Sequence, residues 1–238
     1  MLSLLCLTAQ AQTVDELVKK NIQARGGLEK IKAIKTFKAS GKIVQSGLEI
    51  PIVIQQKRPG SFRFEITFQG KSQIQGYDGV TGWKIDPIQG SSEPEKLTEE
   101  EMKDARELAD IDGALVDYKE KGHTIELVGK EDVEGTPAYK LKVTLKNGDV
   151  RYHYLDVENS LEIKESSKRK SPAGELEVDS YPGNYKSVAG TMLPFSTEHK
   201  VKGQTLYTLT LDNVETDVTL EDSIFKMPAK SADKPKSE

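Results

Sequence analysis

The chain has 238 residues, of which 36% are hydrophobic and 30% are charged, and its formal net charge is −4. This mixed, slightly acidic composition argues against a nucleic-acid-binding protein, which concentrates Lys and Arg on one face. A single cysteine excludes an intramolecular disulfide framework. No run of about 18 apolar residues is available to span a membrane as a helix. The composition therefore indicates one hydrophobic core under a polar surface.

The first residues predict an export signal. A short apolar run at Leu2–Leu7 precedes Ala9-Gln10-Ala11, a small-x-small cleavage pattern. The run is short and lacks a preceding Lys or Arg, which a translation start placed too far downstream would explain. The alternative is a frayed hydrophobic N-terminus. Because Leu5 precedes Cys6, we assign Cys6 to the discarded signal rather than to a lipid anchor. We expect a signal peptide at 1–11 and a periplasmic protein.

The next segment predicts an amphipathic helix. Thr13 and Glu16 have the spacing of a capping box, and apolar residues follow at helical intervals up to Ile22. Gly26-Gly27 ends this helix. A second short helical turn is expected between Leu28 and Ile34.

Alternating apolar residues then predict strands. Phe62, Phe64, Ile66 and Phe68 form the cleanest period-2 run of the chain. Other apolar residues flank this run at strand spacing, namely Ile50, Ile52 and Ile54 before it and Trp83 and Ile85 after it. These nine side chains either line a hollow or form an ordinary packed core, and the pattern alone leaves both alternatives open.

An acidic helical segment interrupts the strands. Ser91-Ser92-Glu93-Pro94 predicts a loop, and Thr98 with Glu101 forms a second capping box before a helix that reaches about Ala109. The acidic residues of its first turn suit the helix dipole. Such a charged run usually marks a solvated helix face.

Further strands follow from Ile125 to Leu211, with Asn147-Gly148 as a hairpin signal. The short connections predict a mainly β, α+β fold with a single strongly curved antiparallel sheet of about eleven strands. The helical segments would cover its concave, apolar face. We expect one domain at 12–228 and a disordered tail at 229–238.

No catalytic motif stands out in the sequence. His123, His153 and His199 lie far apart, and His153 is expected to face solvent because it alternates with two tyrosines. The chain contains no metal-binding, phosphate-binding or nucleophile motif. Carboxylates are so abundant that a glycosidase-like pair is compatible with the sequence. We expect a protein that is not an enzyme and that uses no cofactor and no metal.

Several short motifs, in their order, resemble one family. Lys57-Arg58-Pro59-Gly60-Ser61-Phe62 is followed by Tyr77-Asp78-Gly79-Val80-Thr81-Gly82-Trp83 and by Asp86-Pro87. Near the end, Asn184-Tyr185-Lys186 leads to Leu193-Pro194, and the last motif is Phe225-Lys226-Met227-Pro228. From about Thr13 to Pro228 the chain resembles the periplasmic LolA-type carriers and outer-membrane lipoprotein-sorting proteins.

The resemblance implies a half-open barrel whose helical cover encloses an apolar cavity for lipoprotein acyl chains. It implies that Arg58 gates the lid and that Phe62 takes part in uptake and release of cargo. The cavity would be lined by Phe62, Phe64, Ile66, Phe68, Ile50, Ile52, Ile54, Trp83 and Ile85. The implied partners are an acylated lipoprotein or lipid as cargo, an inner-membrane donor complex and an outer-membrane acceptor.

Two departures from the family pattern bear on cargo and partners. The acidic helix near Glu99–Ala109 has no residue-by-residue counterpart, and the Gly26-Gly27 turn differs. Arg58 is also compatible with a plain ion pair at the end of a strand. Alternative functions are a lipid- or lipoprotein-sensing module without a transport role, and an envelope hydrolase or structural protein.

Overall fold

The structure is a computed structural model that describes residues 12–171 and 174–230. The predicted signal peptide and residues 231–238 of the predicted tail lie outside the described residues. The helices are α1 (Val14–Ala24), α2 (Leu28–Ala33) and α3 (Glu99–Leu108), and a 3₁₀ turn spans Asp222–Ile224. The strands are β1 (Thr36–Gln45), β2 (Leu48–Lys57), β3 (Ser61–Phe68), β4 (Lys71–Tyr77), β5 (Gly82–Asp86), β6 (Ser91–Lys96), β7 (Thr124–Val133), β8 (Thr136–Thr144), β9 (Val150–Asp156), β10 (Glu162–Ser171), β11 (Gly174–Val188), β12 (Thr191–Val201) and β13 (Gln204–Thr216).

All of these strands belong to one antiparallel sheet. Its thirteen strands have the order β6-β5-β4-β3-β2-β1-β13-β12-β11-β10-β9-β8-β7, so the mainly β fold is confirmed. The predicted count of about eleven is too low. One cause is β6, because its first four residues, Ser91-Ser92-Glu93-Pro94, are predicted to form a loop. An edge strand needs only backbone pairing on one side and tolerates Pro94, so it shows no apolar alternation.

The sheet must curve strongly around α3. This helix packs on β4 and also forms ion pairs with β9 and β10. Six strands lie between β4 and β10 in the sheet order, and in a flat sheet these two strands would be about 34 Å apart. The ten-residue helix is only about 15 Å long. One sheet face, which we call the inner face, therefore wraps around the helix and is concave.

Helix α1 covers the inner face at the other end of the sheet. Its predicted capping box is present, because Thr13 and Glu16 exchange hydrogen bonds. Leu17 and Val18 pack on Leu141 and Val143 of β8 in one buried cluster. Within the described ranges, no helix is both long and apolar enough to cross a bilayer.

Candidate functional site

Helix α3 covers the inner face of β3 to β5 with apolar side chains. Met102, Ala105 and Ala109 form a buried cluster with Phe62 of β3 and Tyr77 of β4. The helix begins at the predicted capping box, where Thr98 and Glu101 exchange hydrogen bonds. We call this contact the apolar side of α3.

The opposite side of α3 is ionic. Glu107 pairs with Arg151 of β9, and Asp104 pairs with Arg169 of β10. Arg151 also lies 3.5 Å from Glu165, and only 4% of its side chain is exposed. Burial raises the pKa of Glu107, and the adjacent Glu165 raises it further against the opposing effect of Arg151. We call this contact the ionic side of α3.

A row of polar side chains crosses the inner face beside the ionic side. His153, Glu165, Ser180, His199 and Tyr207 are direct neighbours on five successive strands, β9 to β13. The Ser180 hydroxyl lies 2.9 Å from Nδ1 of His199, and the rings of His199 and Tyr207 are 4.5 Å apart. Burial lowers the pKa of His199, so this imidazole is neutral at pH 7.

His153 is the buried cation of this row. Burial opposes its charge, but Glu162, whose carboxylate lies 2.6 Å from Nδ1, and Glu165 outweigh burial and raise the pKa of His153 to about 9. Its Nε2 is buried and has no hydrogen-bond partner among the described residues. The expectation that His153 faces solvent is wrong, because His153 points to the inner face beneath the helices.

His153 and its two carboxylate neighbours are also the candidate metal ligands of the described chain. One ligand atom each from His153, Glu162 and Glu165 lies within 4.8 Å of the others. A metal ion would have to displace the proton that His153 holds with a pKa of about 9. The guanidinium of Arg151 beside Glu165 adds repulsion. The donor set therefore favours an ion-pair network over a bound cation.

A cleft of about 1270 Å³ opens between the helices and the polar row. Its polar lining includes His153, Glu165, Arg169, Ser180 and His199 from the sheet. Its apolar lining comes from the end of α3, the segment after it, the residue that follows β8 and strand β12, and includes Leu108, Ala109, Ala114, Leu115, Leu145, Met192 and Leu193. The cleft thus presents both apolar surface and polar groups to a ligand.

Arg58 holds the segment that follows α3. Its Nη1 and Nη2 donate to Asp112 at 3.0 and 2.5 Å, while Nε and Nη2 donate to the carbonyls of Ile34 and Ile31 at 2.7 and 3.1 Å. Burial raises the pKa of Asp112, but Arg58 outweighs it and holds that pKa below its ordinary value. Arg58 thus joins the end of β2, the end of α2 and the segment after α3. Gating of the lid by Arg58 remains a prediction.

None of the nine predicted cavity residues is among those that line this cleft. Phe62 and Ile52 are each only 2% exposed and belong to the packed core. Phe64, Ile66, Phe68, Ile50 and Ile54 share the inner face with them and are half-buried. Their contact with cargo remains a prediction.

For Trp83 and Ile85 the prediction of a shared hollow is wrong. Trp83 pairs with Gly76, whereas Phe62 pairs with Tyr77, so Trp83 and Ile85 point to the face opposite Phe62. Trp83 is buried there and donates a 2.7 Å hydrogen bond to the carbonyl of Phe225. Spacing along one strand cannot reveal this, because the register between strands decides the face.

The ionic residues of the site were missed in the sequence. Arg151 and Arg169 lie in strands rich in charged residues, and Asp104 and Glu107 lie in a helix whose charges were interpreted as a solvated face. A signal was present, because Arg151 and His153 alternate with Tyr152 and Tyr154 and therefore share one face of their strand. The pattern did not show that this face is the inner one.

The fold has solved counterparts, although no family model and no curated protein sequence matches the chain. A LolA superfamily protein from Nitrosomonas europaea is 18% identical, with 91% of this chain and 98% of that chain covered and a TM-score of 0.59. A domain from Vibrio parahaemolyticus, named for outer membrane lipoprotein sorting, is 12% identical, with 87% and 97% covered and a TM-score of 0.54. The predicted resemblance is thereby confirmed at the level of the fold, which this chain shares with LolA superfamily proteins.

Proposed function

We propose that the chain is a periplasmic carrier that holds the acyl part of a lipoprotein, or of a related lipid, between the inner face and α3. The single observation that carries this proposal is the cleft of about 1270 Å³ beneath a helix. The fold supports it, because the domain from Vibrio parahaemolyticus with the same fold is named for lipoprotein sorting.

The energetics favour a carrier with a removable cover. Moving acyl chains into water costs about 0.8 kcal/mol per CH₂ group, so cargo needs continuous apolar contact. The half-buried residues Phe64, Ile66 and Phe68 extend the apolar surface of the inner face beside α3, which is the lid in our proposal. The charge-assisted contact of Arg58 with Asp112 contributes only about 1.5–3 kcal/mol as a whole. Incoming cargo can therefore break it.

The proposed cycle needs two partners and no chemical step. An inner-membrane donor would load the cleft, and an outer-membrane acceptor would receive the cargo. The polar row holds an ion pair between His153 and Glu162 and a neutral pair of Ser180 and His199. In our proposal these groups bind cargo and do not catalyse a reaction.

Native mass spectrometry of protein purified from an envelope fraction tests the proposal, followed by organic extraction and lipid analysis. We expect a bound acylated species whose amount falls in Leu193→Glu, because Leu193 lines the cleft and a carboxylate there repels an acyl chain. Val80→Glu is the matched control, since Val80 is 82% exposed in a turn. Ligand-free protein that also fails to take up an acylated peptide would contradict the carrier function.

A further inference from the structure

Two arginines lie side by side on the inner face beneath α3. Arg151 of β9 pairs in register with Ser167 of β10, and Arg169 follows Ser167 by two residues on the same face. Arg151 and Arg169 are therefore diagonal neighbours, about 7–8 Å apart at their Cα atoms. That spacing allows both guanidinium groups to contact one anionic group.

In the structure, carboxylates of α3 pair with both arginines. Asp104 pairs with Arg169, and Glu107 pairs with Arg151. Glu107 is poorly suited to remain charged there, because burial and the nearby Glu165 raise its pKa. Arg151 can therefore exchange Glu107 for an anion that stays charged more readily.

Arg151 also has unused donor capacity. Only 4% of its side chain is exposed, and its Nε is buried without a hydrogen-bond partner among the described residues. A carboxylate offers two oxygens, whereas a phosphate group offers more acceptors to a planar guanidinium. The buried Nε therefore favours an anion with more acceptors than Glu107 provides.

The surroundings of the arginine pair suit an amphiphile rather than a free ion. Arg169 lines the same cleft as the apolar side chains Leu108, Leu145 and Leu193. Arg106 and Lys146 also line it, and neither forms an ion pair within the described ranges. A ligand with an anionic head and an apolar tail would find partners for both parts.

We infer that Arg151 and Arg169 bind the anionic head group of an amphiphilic cargo, which displaces Glu107 and Asp104 and so loosens α3. This inference rests on the proposed function and narrows its cargo to anionic amphiphiles. The inference also couples binding of cargo to opening of α3, because the cargo binds the two arginines that hold the ionic side of the helix.

The test compares two probes with the same acyl chain, lysophosphatidylglycerol and lysophosphatidylcholine, titrated into the full chain by calorimetry. We expect tighter binding of the anionic probe. Arg169→Gln should weaken binding of lysophosphatidylglycerol by about tenfold, the loss expected for one charge-assisted hydrogen bond, and leave lysophosphatidylcholine unchanged. Lys168→Gln is the matched control, because Lys168 pairs with the exposed Glu175 on the other face of the same strand.

Variants of the two carboxylates of α3 should change the affinity for the anionic probe in the opposite direction. Glu107→Gln and Asp104→Asn remove the competing carboxylates, so each should raise the affinity for lysophosphatidylglycerol several-fold relative to lysophosphatidylcholine. A purely structural role would change both affinities together. The ratio of the affinities for the two probes therefore separates competition from a general loss of structure. Asp104→Asn gives this ratio even where Glu107→Gln disturbs the buried network.

Three results would overturn the inference. Equal affinity for both probes, unaffected by Arg169→Gln, would leave a carrier without head-group selection. Binding of inorganic phosphate alone, with the same dependence on Arg169 and an affinity equal to that of the anionic probe, would assign the pair to a free anion. Binding of neither probe would remove the proposed function as well.

Discussion

The two sides of α3 hold the helix by different physical means. On the apolar side, Met102 and Ala105 pack against Phe62 and Tyr77, and the stabilisation comes from buried area. On the ionic side, the contacts are charge pairs that depend on protonation and on competing ions. The difference shows how a cover can stay attached along one edge while its other edge responds to a ligand.

The largest effect is expected on the apolar side. Phe62→Ala leaves a cavity at a side chain that is 2% exposed, and such truncations cost about 3–5 kcal/mol. Urea unfolding measures this loss. Phe68→Ala, on the same strand but half-buried, should cost much less. Equal losses for the two variants would contradict the packing described for α3.

In the polar row beside the ionic side, stability should depend on pH through His153. Its folded pKa of about 9 exceeds the ordinary value of 6.5, so its contribution is complete below about pH 6.5 and is lost as the pH rises through 9. The shift corresponds to a free energy of unfolding on the order of 3 kcal/mol. Glu162 and Glu165 face the imidazole from β10, and Arg151 faces it from its own strand.

The measurement is the free energy of unfolding across this pH range for wild type and for His153→Gln. The difference between the two should shrink as the pH rises from 6.5 to 9. A difference that stays constant would show that His153 is not the titrating group.

A third prediction concerns the segment that follows α3, which Arg58 holds through Asp112. Arg58→Leu removes the bonds to Asp112 and the Ile31 and Ile34 carbonyls, and we expect a loss of about 2 kcal/mol in stability. The lid should then favour the open state, and a transfer assay should show slower release of cargo to an acceptor. Arg63→Leu is the control, because Arg63 pairs with Glu65 on its own strand. Release at the wild-type rate would refute lid gating.

The smallest loss of stability is expected for Gly82→Ala, which tests how closely α3 packs on β5. A Cβ at Gly82 would lie 2.4 Å from the sulfur of Met102 and 2.7 Å from Leu97. Gly82→Ala should therefore push α3 away from β5 at a cost of about 1–2 kcal/mol, measured by thermal unfolding. In Gly183→Ala no atom lies within 4 Å of the added Cβ, so stability should change little.

Local patterns in the sequence predicted the elements of the fold well. The capping boxes at Thr13 and Thr98 and the alternation from Phe62 to Phe68 depend on neighbours within a few residues, and each is found where expected. β6 was missed because an edge strand carries little burial signal.

The site could be predicted only in part. Arg58 was identified through a family motif, and its bonds to Asp112 are visible only in the fold. The two residues of the Arg169–Asp104 pair are 65 positions apart, and the pair arises from the curvature of the sheet. No local pattern of charges distinguishes it from a solvated surface.

Helix α3 also acts as a distance constraint on the sheet. It contacts β4 on one side and β9 and β10 on the other, while β6 and β7 are the two edge strands of the sheet in the described part of the chain. Among the described residues no hydrogen bonds close the sheet, so its radius of curvature is set partly by the length of this helix and of its side-chain contacts. If a ligand broke the ion pairs on the ionic side, the sheet could flatten. The cleft would then become larger for the same ligand that opened it.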